Sequence, residues 1–217
     1  CDPQIARLGL AVGRIDADAG FGHHAGKLGM DLACELATDT GVGVVGINNS
    51  NFFGAGAYYV QLAAEQGMIG LTVSNSFPKV AAHGGIAAVL GTNPIAFSAP
   101  RADGKSILID MSTAAMAGSS VREAIAKGEQ LEPGLAIDAH GLPIRDPTLV
   151  ASGTLLPASG AKGFGLAILV ELLSGVLTGA GVAGEVASMY ADIERPGNNG
   201  HLMLAIDIAR WMPLEYF

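Results

Sequence analysis

Charge is scarce in this chain: 15% of its 217 residues are Asp, Glu, Lys or Arg, while half are hydrophobic. A chain that apolar buries a core and is no disordered segment. Basic residues are the scarcer sign, with twelve Lys and Arg against twenty Asp and Glu, a net charge of −8. Phosphate-backbone binding needs a basic surface, so no nucleic-acid partner is expected. Cysteine is nearly absent. Cys1 and Cys34 are too few for a disulfide framework and lack metal-ligand spacing, so a reducing, cytoplasmic setting without a structural metal is expected. No Walker loop, GxSxG or HExxH occurs. The GxG-like stretch Gly41-Val42-Gly43 precedes a β-type run instead of following one, so it is no dinucleotide fingerprint.

One long apolar run is present, residues 164–184, with Glu171 as its single charge. Recurrent glycines (165, 175, 179, 181 and 184) and the lack of a basic flank favour a buried helix over a membrane span. The pair His23-His24 has no third ligand at helical spacing and reads as a solvated loop pair.

At this length one large domain or two small ones fit. Residues 8–15 read as a strand, 27–40 as an amphipathic helix ended by Gly41, and 42–47 as a β-branched strand. A second helix over 57–66 and a strand over 68–74 complete a strand–helix–strand–helix–strand order, the pattern of an α/β layer. Residues 75–100 read as loop-rich, 106–109 as a strand, and 113–127 as a helix. The turn-dense stretch 128–161 reads as a long surface connection. A buried helix over 163–177 and a strand over 201–206 close the chain. The expected division is an α/β region over 8–150 and a partly helical region over 151–217.

Three loops each combine glycine or small polar groups with a charged or amide side chain after an apolar strand: 49–54, 110–113 and 160–163. Glycine lets backbone N–H groups approach a phosphate or ribose closely, and a helix starting there adds a positive dipole end. Lys162 is a natural anion contact on this reading. The plainer reading makes Asp110 and Ser112 helix N-caps and Lys162 a solvated lysine.

At these loops the chain resembles the malate/L-lactate dehydrogenase family of nicotinamide-dependent oxidoreductases. The resemblance rests on GFG at 20–22, NSN at 49–51, GTNP at 91–94, DMST at 110–113, DxxG at 138–141, KGFGL at 162–166, VELLSGVLTGAG at 170–181 and NGH at 199–201. It implies a non-Rossmann nicotinamide-binding α/β fold, a mixed sheet flanked by helices with a partial helical domain. It also implies NAD or NADP as cofactor and a homodimer. The substrate class implied is a small 2-oxo acid, 2-hydroxy acid or cyclic imino acid, with hydride moving at the carbon next to a carboxylate. By family position the cofactor contacts are Ser76, Thr92, Asn93, Asp110, Met111, Ser112, Lys162, Gly163 and Phe164.

Where the family usually reads SNHFG, this chain reads Ser50-Asn51-Phe52-Phe53-Gly54. The resemblance makes that histidine the acid/base; Phe52 cannot exchange a proton, and losing such a group typically costs about 10²–10⁴-fold in rate. The family's SHG segment, with an arginine for the substrate carboxylate, falls ahead of residue 1. His83 is the leading replacement for the proton-transfer role, with His201 and Lys79 behind it. Phe52 is otherwise expected to pack against Phe53 and Tyr58. A non-redox descendant that kept the fold is the alternative reading. Half of the composition being apolar, an exposed apolar patch covered by oligomerisation is expected as well.

Overall fold

A computed structural model describes residues 1–217. The larger of two sheets contains β1 (Gln4–Arg7), β2 (Val12–Asp16), β3 (Val42–Ser50), β4 (Met68–Ser74), β7 (Ile95–Pro100), β8 (Ser106–Met111) and β11 (Asn199–Asp207). Their spatial order is β1-β2-β3-β11-β4-β7-β8. The smaller sheet orders β6 (Ala88–Leu90), β5 (Val80–Ala81), β10 (Thr154–Leu155) and β9 (Ala136–Ile137). Four α-helices accompany them: α1 (Gly22–Thr40), α2 (Gly56–Ala64), α3 (Gly118–Lys127) and α4 (Ala161–Glu171).

The large sheet is mixed, as expected. β2 and β3 pair in parallel across α1, and every other pairing in it is antiparallel. Strands β3 and β4 do not pair with each other, because β11 lies between them and is antiparallel to both. Residues 151–217 therefore supply a central strand to the sheet of residues 8–150.

Side-chain alternation builds a core on each face. Val45, Ile47, Met203 and Ala205 pack with α1 and α2, while Val73 and Leu202 meet Val170 of α4 on the opposite face. Gly43 lets α1 rest on the backbone of β3: a Cβ there would lie 1.9 Å from the Ala33 carbonyl oxygen.

Several local expectations need correction. Residues 8–15 are not one strand; β1 and β2 form a hairpin, with Leu8 and Gly9 N–H both donating to the Val12 carbonyl at its turn. The helix expected over 113–127 starts only at Gly118. Ala114 instead pairs with Pro157 in an antiparallel bridge, and the Thr113 carbonyl accepts the Ala158 N–H, so the stretch is extended where the first helical turn was expected. The loop-rich 75–100 stretch contains three strands, β5, β6 and β7. The 128–161 connection is more than a wrapping loop: β9 and β10 come from it, and Leu131, Ala136, Ile144, Val150 and Leu155 join Val80 in a second core.

The helix expected to be buried over 163–177 is buried on one face alone. Gly163, Ala167, Val170 and Glu171 point inward, whereas Leu166, Leu169, Leu172, Val176 and Leu177 are exposed. After Glu171 the helix widens into a π turn over Leu172–Val176, closed by Leu177 N–H to the Leu172 carbonyl at 2.9 Å. No helix is long and apolar enough to cross a membrane.

Candidate cofactor and active site

The loops that carry the candidate residues converge at one end of the large sheet. Ser76, just past β4, accepts the Thr92 N–H on its Oγ at 3.0 Å. Gly91 makes this approach possible, since a Cβ there would fall 2.2 Å from Ser76 Oγ. Ser112 Oγ, just past β8, donates to the Thr92 carbonyl at 2.9 Å and accepts the Ala114 N–H at 2.9 Å. Thr113 then receives the Ala158 N–H on its carbonyl at 2.9 Å, which ties in the loop leading to α4. Gly163 sits against that loop, too close for any side chain: its Cβ would lie 2.0 Å from the Ala158 oxygen. Ser76, Thr92, Ser112 and Gly163 thus stand in one continuous wall.

Asn93 lies behind that wall. It is fully buried and adopts a left-handed backbone, φ +34°. Its Oδ1 accepts the Ser76 N–H at 3.2 Å, and its Nδ2 donates to the Ala167 carbonyl at 3.0 Å and to Glu171 Oε2 at 2.7 Å. Every polar atom of its amide therefore faces protein, as a buried amide requires. The side chain is directed away from the surface the family position implies for it.

In the sequence Glu171 is the one charge of an apolar run and part of the 170–181 motif, with no role attached to it. It is 5% exposed and accepts the Ala183 N–H on Oε1 at 2.7 Å. Asn75 Nδ2 adds a longer contact to the same oxygen at 3.4 Å. A buried charge needs partners, and that rule was the signal available for finding it.

Asp110 and Met111 end β8 and are exposed. Asp110 Oδ2 accepts the Ala57 N–H at 2.8 Å, so it caps the first turn of α2 and not the helix that follows it in sequence. A carboxylate is favourable at that positive helix end. Ser112 caps a turn at Ala114, short of α3. Lys162 is exposed in the first turn of α4, outside every ion pair of the chain. Phe164, next but one, is half-buried.

The 50–54 loop is held from beneath. His201 is fully buried, with Nε2 2.9 Å from Ser50 Oγ and Nδ1 2.8 Å from Ser74 Oγ. Burial keeps its imidazole neutral, pulling the pKa down to about 3. Phe53 points inward, and its carbonyl accepts a hydrogen bond from the buried Tyr59 hydroxyl. Phe52 does not pack against Phe53 and Tyr58 as expected. It points outward, 48% exposed, with its ring edge-on to His23 at 6.1 Å. His23 and His24 in turn line a cavity of about 400 Å³ with Lys27 and Tyr58, and no metal-binding cluster forms there.

Of the three candidate replacements for a proton-transfer group, Lys79 donates its ammonium to the carbonyls of Ala151 and Gly153 at 2.9 and 3.2 Å. Burial pulls its pKa down. His201 is sealed in the interior. His83 is exposed and lines a cavity of about 420 Å³ with Gly85, Ile137, Pro157 and Gly160. It faces Gly160, the residue before α4, where a Cβ would meet its Nδ1 at 3.3 Å.

A family model described as malate/L-lactate dehydrogenase matches residues 1–217. The malate dehydrogenase of Pyrococcus abyssi is 40% identical over 99% of this chain and 60% of its own length. The ureidoglycolate dehydrogenase (NAD(+)) of Escherichia coli is 39% identical over 94% of this chain and 58% of its own. The solved sulfolactate dehydrogenase of Methanocaldococcus jannaschii superposes with a TM-score of 0.90 at 39% identity, covering 100% of this chain and 62% of that one. The chain thus spans about three fifths of the length of the curated relatives it matches. From the shared fold and the match along its whole length, the chain belongs to the malate/L-lactate dehydrogenase family.

Proposed function

We propose that this chain forms the cofactor-binding part of an NAD(P)-dependent oxidoreductase acting on a small 2-oxo or 2-hydroxy acid or a cyclic imino acid. Family membership together with the joined wall of Ser76, Thr92, Ser112 and Gly163 is the observation that carries this reading. The donor set fits a nicotinamide dinucleotide. Hydroxyls at 76, 92 and 112 suit ribose and amide groups, and the start of α4 suits a phosphate. An unpaired cation at a helix N-terminus opposes the helix dipole, so Lys162 makes best sense beside an anion. Asp110, Met111 and Phe164 border the same region.

A nicotinamide cofactor, when bound, supplies or accepts the hydride. The protein's own part is to orient it on the wall and to provide the proton for the substrate oxygen or nitrogen. His83 is the group in this chain we assign to that role, exposed and next to the α4 N-terminus. A homodimer is part of the reading, with the outward leucines of α4 and the π turn as its contact. Phe52 favours a second reading, a descendant without hydride transfer, because an exposed phenyl ring stands where an acid/base is expected.

Titrating the purified protein with NADH and with NADPH, followed by calorimetry, tests the proposal. Saturable micromolar binding of either is expected; binding of neither would sink it.

A further inference from the structure

We infer that Glu171 is a positioning residue for the cofactor wall, its carboxylate anchoring the Asn93 amide and through it the placement of Ser76. This rests on the reading of residues 76, 92 and 112 as cofactor contacts.

The argument starts from the direction of each hydrogen bond. Asn93 Oδ1 accepts the Ser76 N–H, a backbone group that can only donate. That leaves Asn93 Nδ2 to face Ala167 and Glu171, where it finds the Ala167 carbonyl and Glu171 Oε2. A flipped amide would set Nδ2 against the Ser76 N–H and Oδ1 against the Ala167 carbonyl, two mismatches at once. The two backbone groups thus set the orientation of Asn93, and Glu171 takes the second Nδ2 hydrogen, which ties the oriented amide to α4. Glu171 accepts from both sides, with Oε1 taking the Ala183 N–H at 2.7 Å. Donors converging on both oxygens call for a carboxylate, since a glutamine would turn its NH₂ toward one of them.

The side chain is otherwise badly placed for stability alone. It is buried and belongs to none of the chain's ion pairs. A neutral apolar side chain there would avoid the cost of burying that charge. Its hydrogen bonds instead lead within two steps to the Ser76 backbone, and Ser76 Oγ holds Thr92.

Two variants test the inference, Glu171→Gln and the double variant Asn93→Asp with Glu171→Gln. In the double variant, the carboxylate introduced at position 93 accepts from Ser76 N–H with one oxygen and from the new glutamine NH₂ with the other, at the cost of facing the Ala167 carbonyl. The readouts are amide hydrogen exchange by NMR and NADH affinity. Glu171→Gln is expected to speed exchange at Ser76 and Thr92 and to weaken NADH binding, each by roughly tenfold, because a buried donor is left unpaired. Amides of the β1–β2 hairpin should not change, and the double variant should recover part of both losses.

Unchanged exchange and affinity in Glu171→Gln would overturn the inference. So would a uniform rise in exchange across the chain without recovery in the double variant, which would mark Glu171 as general support. If Glu171→Gln does not fold, the double variant must fold and exchange slowly at Ser76, and its failure counts against the inference. A wild-type protein that binds neither nicotinamide cofactor defeats the proposed function instead, and the exchange rates at Ser76 still decide whether Glu171 holds that loop.

Discussion

The rings of Phe53 and His201 lie face to face, 4.7 Å between centroids and 4° from parallel. Tyr59 stacks on Phe53 in turn, at 5.1 Å and 18°. Three rings from α2, the 50–54 loop and β11 therefore set the height of that loop above the sheet, while the two serine contacts of His201 set its lateral position.

That arrangement carries a pH signature. Burial lowers the His201 pKa from 6.5 to about 3, so between those values the unfolded chain takes up a proton that the folded chain refuses. The stability associated with neutral His201 is complete above pH 6.5 and is lost progressively as pH falls toward 3. Thermal midpoints measured from neutral to about pH 4.5 should fall with acidification, and His201→Gln should show a shallower fall. Equal slopes in the two proteins would contradict this origin.

Phe52→His separates the two functional readings. The ring is half exposed, so the exchange should alter stability by no more than about 0.5 kcal/mol. A dormant dehydrogenase should then gain about 10²-fold or more in NADH oxidation with a 2-oxo acid. No gain, in a variant that still binds NADH, would favour a site rebuilt for another use.

Lys162→Ala should weaken NADH binding by about tenfold, the loss of one charge-assisted contact, without lowering the melting temperature. Its exposure and lack of an ion pair are the basis for the second half. The wild-type affinity should also fall with added salt more steeply than that of the variant. Calorimetric titrations at two salt concentrations measure both effects.

The outward face of α4 and the π turn should be an interface between copies. Leu169 and Leu172 are 47% and 51% exposed and neighbour Val176 and Leu177, a patch that water does not favour. Light scattering at micromolar concentration should give a dimer for the wild type and a monomer for Leu169→Glu with Leu172→Glu. A wild-type monomer would remove this element of the proposal.

The longer strands of the large sheet are legible where apolar runs such as 42–47 and 68–74 leave a clear pattern. The short strands β5, β6, β9 and β10 lie in stretches that read as loops, and the mixed pairing follows from the family resemblance alone. Helix starts are less legible. Residues 22–26 contain two glycines and two histidines, weak helix formers, yet α1 includes them because Gly26 lets Tyr59 approach within 2.7 Å of where a Cβ would be. The α4 run showed its hydropathy but not which side faced solvent, since apolar side chains occupy both. At the candidate site, Ser76, Thr92 and Ser112 are named by family position, and spacing does not show that they bond to one another. The inward turn of Asn93 and the carboxylate beneath it depend on contacts between residues far apart in sequence, which spacing does not record. Likewise no local rule says which of two adjacent phenylalanines points in: the stack on His201 decides it for Phe53.

The position of β11 also has a temporal consequence. As the ribosome delivers the chain, β3 and β4 emerge well before the strand that must lie between them, which follows β5 to β10 in sequence. Until it inserts, each presents an unpaired inner edge, open to its neighbour or to another nascent chain. The mean sequence separation of the sheet's contacts is correspondingly high, a topology associated with slow folding. The nascent protein is thus most vulnerable to aggregation until β11 arrives, and His201, carried by that strand, closes the two serine-bearing ends behind it.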